Sequence, residues 1–173
     1  MTATLASLLA TLPRAGRVDW LGVRPARRAP MRSLDAVTLD PDEGIVGDRY
    51  AGRTGERHVT LVQAEHLVAL AGLLGRASVE PAELRRNVVV SGLNLLALKG
   101  RRFRLGEARL VHTGACHPCS RMEEAFGPGG YNAVRGHGGI TARVLAGGTV
   151  RLGDELRVDS DAVGDGARAD IPS

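Results

Sequence analysis

Lysine is almost missing from this 173-residue chain: Lys99 stands alone among arginines, at a net charge of +4. A biased genome accounts for that pattern by itself. Guanidinium forks nevertheless suit phosphate and carboxylate, and they stay charged at any working pH. Aromatic residues are as scarce, with only Trp20, Tyr50, Phe103, Phe126 and Tyr131. That is too few for a surface that stacks single-stranded nucleic acid, and no zinc-finger spacing or helix-turn-helix pattern accompanies the charge. Nucleic acid is therefore not an expected partner. No apolar run approaches the roughly 18 residues that span a bilayer, so no membrane partner is expected either. The N-terminal "MTATLASLLATLPR" lacks the basic start and the clean cleavage site of a signal peptide. It reads instead as a short amphipathic helix, Thr2 to Leu12, ended by Pro13. Only two cysteines are present. A reducing cytoplasm is the expected setting, where such a pair is reactive or metal-binding more often than a structural disulfide.

What is there describes a single domain. Hydrophobic residues at 43% and charged residues at 24% are ordinary globular values, and the length suffices for a core without disulfides. Turn signals come often ("DPDEG", "AGRTGE", "SGLN", "KGRR", "GPGG", "GHGG"), and between them lie short β-type runs. These are 36–39, 57–62, 87–92, 102–114, 139–148 and 149–158. Short strands broken by Gly-rich turns predict an antiparallel barrel or sandwich rather than alternating β-α units. "RFRLGEARLV" and "TVRLGDELRV" both read as hairpins; in the first, Phe103, Leu105 and Leu110 face inward while Arg102, Arg104 and Arg109 take the solvent side. Helices are few. Residues 63–75 carry Leu67, Leu70, Leu73 and Leu74 at helical spacing before Gly75, and His66 on that helix reads as a surface or capping side chain. A short turn of helix opens at Pro81.

Four segments carry chemistry. "GIVGDRYAGR" (44–53) sets Asp48 and Arg49 among glycines, an arrangement that brings backbone close to a ligand, although the pair could equally close a turn. "ELRRNVVVSGLNL" (83–95) brings Arg85, Arg86 and Asn87 into a strand; such a trio suits an oxyanion or a pterin-like heterocycle edge, or is simply a solvated helix end. "GACHPCSRME" (114–123) holds both cysteines. Cys119 follows Pro118 and precedes a possible helix, whose positive dipole end, with Arg121, would favour a thiolate. The plain alternative is two small buried residues. A zinc site needs about four ligands, and no second ligand pair follows, so zinc is not expected. In the fourth segment, Arg135 and His137 lie in a Gly-rich loop where they could face an anion, or where His137 only fills a turn.

Taken in order, "GIVGDRYAG", "RHVTLVQAEHL", "ELRRNVVVSGLNLLALKGRRFRLGEARL", "CHPCSRME" and "RGHGGITARVLAGGTVRLGDEL" resemble the MOSC domain. That module stands at the C-terminus of molybdenum-cofactor sulfurases and also occurs free-standing in bacteria. The resemblance covers 18–158 and implies a mainly β, barrel-like domain there; outside it, the residues themselves read as a helical extension at 1–17 and a flexible, polar, Gly-rich tail at 159–173. It further implies binding of the molybdenum cofactor (molybdopterin), with Cys119, in its Pro-Cys context, holding molybdenum or carrying sulfur; Cys116 is then an extra. Arg49, Arg85 and Arg86 would take the phosphate, and Asn87 the heterocycle edge. The fused sulfurases also use pyridoxal phosphate, on a separate domain; no residue here offers it a Schiff-base site. Two functions follow from the resemblance. One is an oxidoreductase reducing N-hydroxylated or N-oxide small molecules, fed by a separate electron-transfer protein because the chain has no flavin, haem or iron–sulfur motif. The other is a non-redox carrier, through a Cys119 persulfide or by cofactor delivery to a molybdoenzyme.

Overall fold

A computed structural model describes residues 2–50 and 52–160. The tail expected from Asp159 lies outside them from residue 161 onward. In chain order the elements are α1 (Leu5–Ala10), β1 (Gly16–Val23), β2 (Arg32–Ser33), β3 (Ala36–Asp40), β4 (Gly44–Ile45), β5 (Val59–Gln63), α2 (Ala64–Leu74) and α3 (Pro81–Leu84). There follow β6 (Val88–Ser91), a 3-10 turn (Leu95–Leu98), β7 (Arg102–Leu105), β8 (Ala108–Ala115), α4 (Ser120–Phe126), α5 (Gly130–Val134), β9 (Ile140–Ala146), β10 (Gly148–Arg151) and β11 (Glu155–Val158). Among the described residues no helix is long and apolar enough to cross a membrane.

The strands form a closed barrel in the order β1-β6-β5-β9-β8-β7-β11, with β11 returning to β1. The alternation in "RFRL" turns Phe103 and Leu105 into the barrel and Arg102 and Arg104 outward. Phe103 pairs with Leu110 and Leu105 with Ala108 across a two-residue turn at Gly106, the predicted hairpin. Outside, Arg104 and Arg109 both reach Asp159. Each fully buried Leu or Phe of this interior contributes about 1.5–3 kcal/mol. The small sheet β10-β3-β4 adds Val37, Leu39, Ile45 and Val150 to the same core.

The mainly β barrel with a few short helices matches the expectation from the sequence, but it is mixed rather than antiparallel. β5 and β6 run parallel, which requires a crossover, and α2 and α3 supply it. Helix packing on the outside also explains why "VVV" in β6 does not alternate. Val88 and Val90 face the barrel interior, while Val89 joins a second core with Val62, Leu70, Leu84, Met122 and Val134. On α2, Leu70 and Ala71 are buried and Gly75 ends the helix in a left-handed conformation, whereas Leu73 points to solvent.

Two further readings are corrected. "TVRLGDELRV" is not a hairpin: β10 pairs with β3, and β11 with β7 and β1. Gly153 at its turn adopts φ 85° and donates its N–H to the Val18 carbonyl, so the segment is a corner between two sheets. β1 is a strand that the sequence pattern conceals. A register shift between Val18 and Trp20 breaks the period of two, leaving Val18 and Leu21 both fully buried. The N-terminal helix is shorter than expected and starts at an N-cap, with Thr4 Oγ1 accepting from Ser7 N–H.

The glycines before β9 allow the closest backbone approach in the barrel wall. Gly139 has φ 86°, and a Cβ there would overlap the Leu61 carbonyl oxygen of β5. Gly139→Ala is expected to destabilise the fold by about 2–3 kcal/mol, combining left-handed strain with the clash. Urea unfolding with an unchanged midpoint would show that β5 and β9 can separate at no cost.

Candidate functional site

β8 ends at Ala115, and the next residue turns into the protein: Cys116 is 3% exposed and donates its N–H to the Gly139 carbonyl at 2.8 Å. A Cβ on Gly138 would overlap the Cys116 carbonyl oxygen, so this glycine too is needed for the approach. The Cys116 sulfur lies 3.9 Å from Arg57 Nη2. Cys119, by contrast, is exposed, at the N-cap position of α4 with no side-chain cap bond. Arg86 lies behind both cysteines. Its guanidinium is buried and donates to the carbonyls of Gly138 and Leu84, each at 2.8 Å. Burial lowers its pKa from the ordinary arginine value; negative charge on Cys116, and less strongly on Cys119, works the other way. Arg57 and Arg24 lie close enough to add to the lowering.

A second group of charges adjoins this one. Asp48 has a fully buried side chain that accepts from Arg24 at Nη2 (2.7 Å), Nε (3.1 Å) and backbone N–H (2.7 Å). It also accepts from Tyr50 N–H and Asn87 Nδ2. Burial alone would raise the Asp48 pKa, but the Arg24 bonds and the Tyr50 N–H outweigh it and hold the carboxyl below its usual value. Arg85 sits at φ 55° after α3 and donates from Nη1 to the Ala29 carbonyl at 2.7 Å. Its Nη2 is buried with no partner among the described residues. Burial lowers the Arg85 pKa, Arg24, Arg121 and Arg49 lower it further and Asp48 works the other way, so three more guanidinium groups and one carboxylate lie within Coulombic reach of Arg85.

The residues singled out from the sequence thus fall into three groups. Arg49, Arg85 and Arg121 share the cationic cluster, and Arg86 links it to the cysteines. Asp48 and Asn87 are committed inside the protein. Asn87 is wholly buried; its Oδ1 accepts from Thr60 N–H and Oγ1, and its Nδ2 donates to the Gly22 carbonyl and to Asp48. Arg135 and His137 lie apart from the cluster's named neighbours. Arg135 is exposed and donates to Asn132 Oδ1 at 3.3 Å. His137 lies edge-on to His66, with ring centroids 4.9 Å apart. His66 is half-buried, and its Nδ1 has no partner. Local pattern could not single out Arg24 and Arg57, because each joins the site only through barrel closure.

Beyond Cys116 opens a cleft of about 910 Å³, within the size range of small-molecule sites. Cys116, His117 and Pro118 line it, together with the 3-10 turn, Lys99 and His112. Cys119 and the arginine cluster do not line it. Among the described residues, no three His, Cys, Asp or Glu side chains are grouped so as to hold a metal ion.

The fold is thus a closed mixed β-barrel with short outer helices, carrying a buried cysteine at a cleft and an exposed one at the start of α4. Residues 40–157 match the MOSC domain, so the chain belongs to that family, which is associated with molybdenum-cofactor binding. The fold is similar to that of the YuaD protein from Bacillus subtilis (TM-score 0.73, 23% identity, covering 84% of this chain and 96% of that one). It is also similar to YiiM from Escherichia coli (TM-score 0.67, 22% identity, 86% and 71% covered). YiiM from Geobacillus stearothermophilus aligns with TM-score 0.67 at 18% identity, with 86% and 77% covered. No functionally curated protein matches the sequence.

Asp48→Asn is expected to cost about 1.5–3 kcal/mol at neutral pH, because Arg24 loses its charged partner. The folded carboxyl has a depressed pKa, so its stabilisation is present above the unfolded value and is lost as pH falls through the folded one. Wild type and variant should therefore differ most above the ordinary carboxylate range and converge as pH falls through the depressed folded value. Urea titrations across that range check this; a difference that does not change with pH would refute the charge-based account.

Proposed function

We propose that the protein binds the molybdenum cofactor and serves as an oxidoreductase for N-hydroxylated or N-oxide compounds, with Cys119 as the thiolate that holds the metal. The observation that carries this reading is the cationic cluster beside the cysteines, with its unpartnered Arg85 Nη2. Arg85 has three other arginines and one carboxylate within Coulombic reach, and an incoming phosphate would relieve the repulsion among them while meeting fork-shaped donors. The donor set fits the group: an exposed soft thiol for the metal, and guanidinium groups for the phosphate. When bound, the cofactor supplies a molybdenum centre able to exchange electrons with a substrate.

The chain's own residues do the positioning. Asn87 donates to Asp48, and Asp48 holds and screens Arg24, so that the remaining positive charge of the cluster lies on Arg49, Arg85 and Arg121. Arg86 and Arg57 put fixed positive charge beside Cys116, behind the exposed thiol. Electrons would come from a separate protein. The exposure of Cys119 favours a second reading, in which a partner protein loads it with sulfur as a persulfide.

Protein produced in a cofactor-synthesising host is expected to carry near-stoichiometric molybdenum, to lose it with Cys119→Ser and to keep most of it with Cys116→Ser. Arg85→Ala should weaken retention by about 1.5–3 kcal/mol, and Arg85→Lys should restore it only in part, since an ammonium lacks the fork. Metal-free protein with a persulfide on Cys119 would instead establish the carrier reading. Loss of molybdenum with Cys116→Ser alone would move the metal to the buried cysteine.

A further inference from the structure

The cleft beyond Cys116 carries side-chain hydrogen-bond donors that the cofactor reading does not use. Among the described residues no Asp or Glu lines it, and Lys99, the sole lysine of the chain, stands at its wall. Three polar side chains of the lining have their acceptor atoms occupied by backbone N–H groups. Gln63 Oε1 accepts from Leu95 N–H at 3.1 Å, Asn94 Oδ1 from Leu96 N–H at 3.1 Å, and His112 Nδ1 from Gly100 N–H at 3.2 Å. Each is thereby left with a donor: the amide NH₂ of Gln63, that of Asn94, and Nε2–H of a neutral His112. Burial, with Lys99 nearby, lowers the His112 pKa and favours that neutral form. The apolar part of the wall includes Leu95, Ile140 and the 71%-exposed Leu96.

We propose that this cleft binds small molecules carrying a carboxylate on an apolar body, with Lys99, His112, Gln63 and Asn94 receiving the carboxylate oxygens. An ammonium in the same place would meet donors and a like charge, with no carboxylate to pair with. A neutral amide would lose the charge attraction and keep only part of the hydrogen bonding. The selection is therefore by the sign of the ligand's charge, while the apolar wall accepts bodies of varied shape. It is a property of the cleft alone and stands whether or not molybdenum is bound.

The test uses metal-free full-length protein and three probes of matched shape, 2-naphthoate, 2-naphthamide and 2-naphthylmethylamine, with affinities from calorimetry. Naphthoate is expected to bind at least about tenfold more tightly than the amine, with the amide between them. Lys99→Met should remove most of that preference and Lys99→Glu should reverse it; Lys99 is exposed, so neither change threatens the fold. Arg49→Ala should leave naphthoate affinity unchanged. Equal binding of acid and amine, or no detectable naphthoate binding, overturns the proposal. So does a loss of naphthoate binding that follows Arg49→Ala and not Lys99→Met, which would place the acid in the arginine cluster. Because no metal is needed, failure here leaves the molybdenum reading intact, and protein that loads no molybdenum yet selects naphthoate separates the two the other way.

Discussion

The side-chain amide of Asn87 lies fully buried where β1, β5 and β6 meet, and it bonds to all three of the parts it joins. Thr60 of β5 donates to it twice, the Gly22 carbonyl of β1 accepts from it, and Asp48 takes its remaining proton. A buried amide left unpaired costs about 1–3 kcal/mol, so the arrangement holds only if the two parallel strands, the neighbouring antiparallel strand and the 44–50 loop are all in register. Asp48 then holds Arg24, and Arg24 is one wall of the cationic cluster. The charged site therefore hangs from a polar knot in the barrel wall.

On the opposite side of the cysteines the controlling constraint is steric. Gly138 and Gly139 let β9 and its preceding turn lie against the Cys116 carbonyl and the Leu61 carbonyl, distances that any Cβ would forbid. The same close approach positions Gly138 to accept from Arg86 Nε. Two residues of chain thus separate a buried thiol, open on its far side to a cleft, from an exposed thiol at the start of α4. The two compartments have different characters. One is a crowd of guanidinium groups; the other has one lysine, no carboxylate among its described lining residues, and three side chains whose acceptor atoms already bond to backbone N–H groups.

Much of this was legible in local pattern. The alternation in "RFRLGEARLV" marks a two-faced hairpin, and the apolar run ended by Gly75 marks α2, because both signals are carried by neighbours in the chain. β1 was hidden by its bulge, and the false hairpin at "TVRLGDELRV" arose because a tight glycine turn looks the same whether its strands pair or part. The parallel β5–β6 pair was equally silent, since its register is set by residues separated by a helix. At the site, residue type pointed to Arg49, Arg85 and Arg86 as an anion site; Arg49 lies within Coulombic reach of Arg85, while the Arg86 guanidinium is buried against the Gly138 and Leu84 carbonyls. The internal commitment of Asp48 and Asn87 could not be read from type at all.

By itself, the sequence determined the residue inventory, the short strands and turns, the glycines that only a close approach requires, and a family resemblance carried by five motifs in order. Tertiary structure alone decided which charges share a field and which polar atoms are left over. Arg24, Arg57 and Arg86 come from separate segments and become neighbours only when the barrel closes. Whether an amide or imidazole faces a ligand as donor or acceptor depends on which of its atoms a distant backbone N–H has already taken, as at Gln63 and His112. The physical reason is common to both: Coulomb interaction and hydrogen bonding act through space, over a few ångströms, and chain order says little about which groups fall within that range.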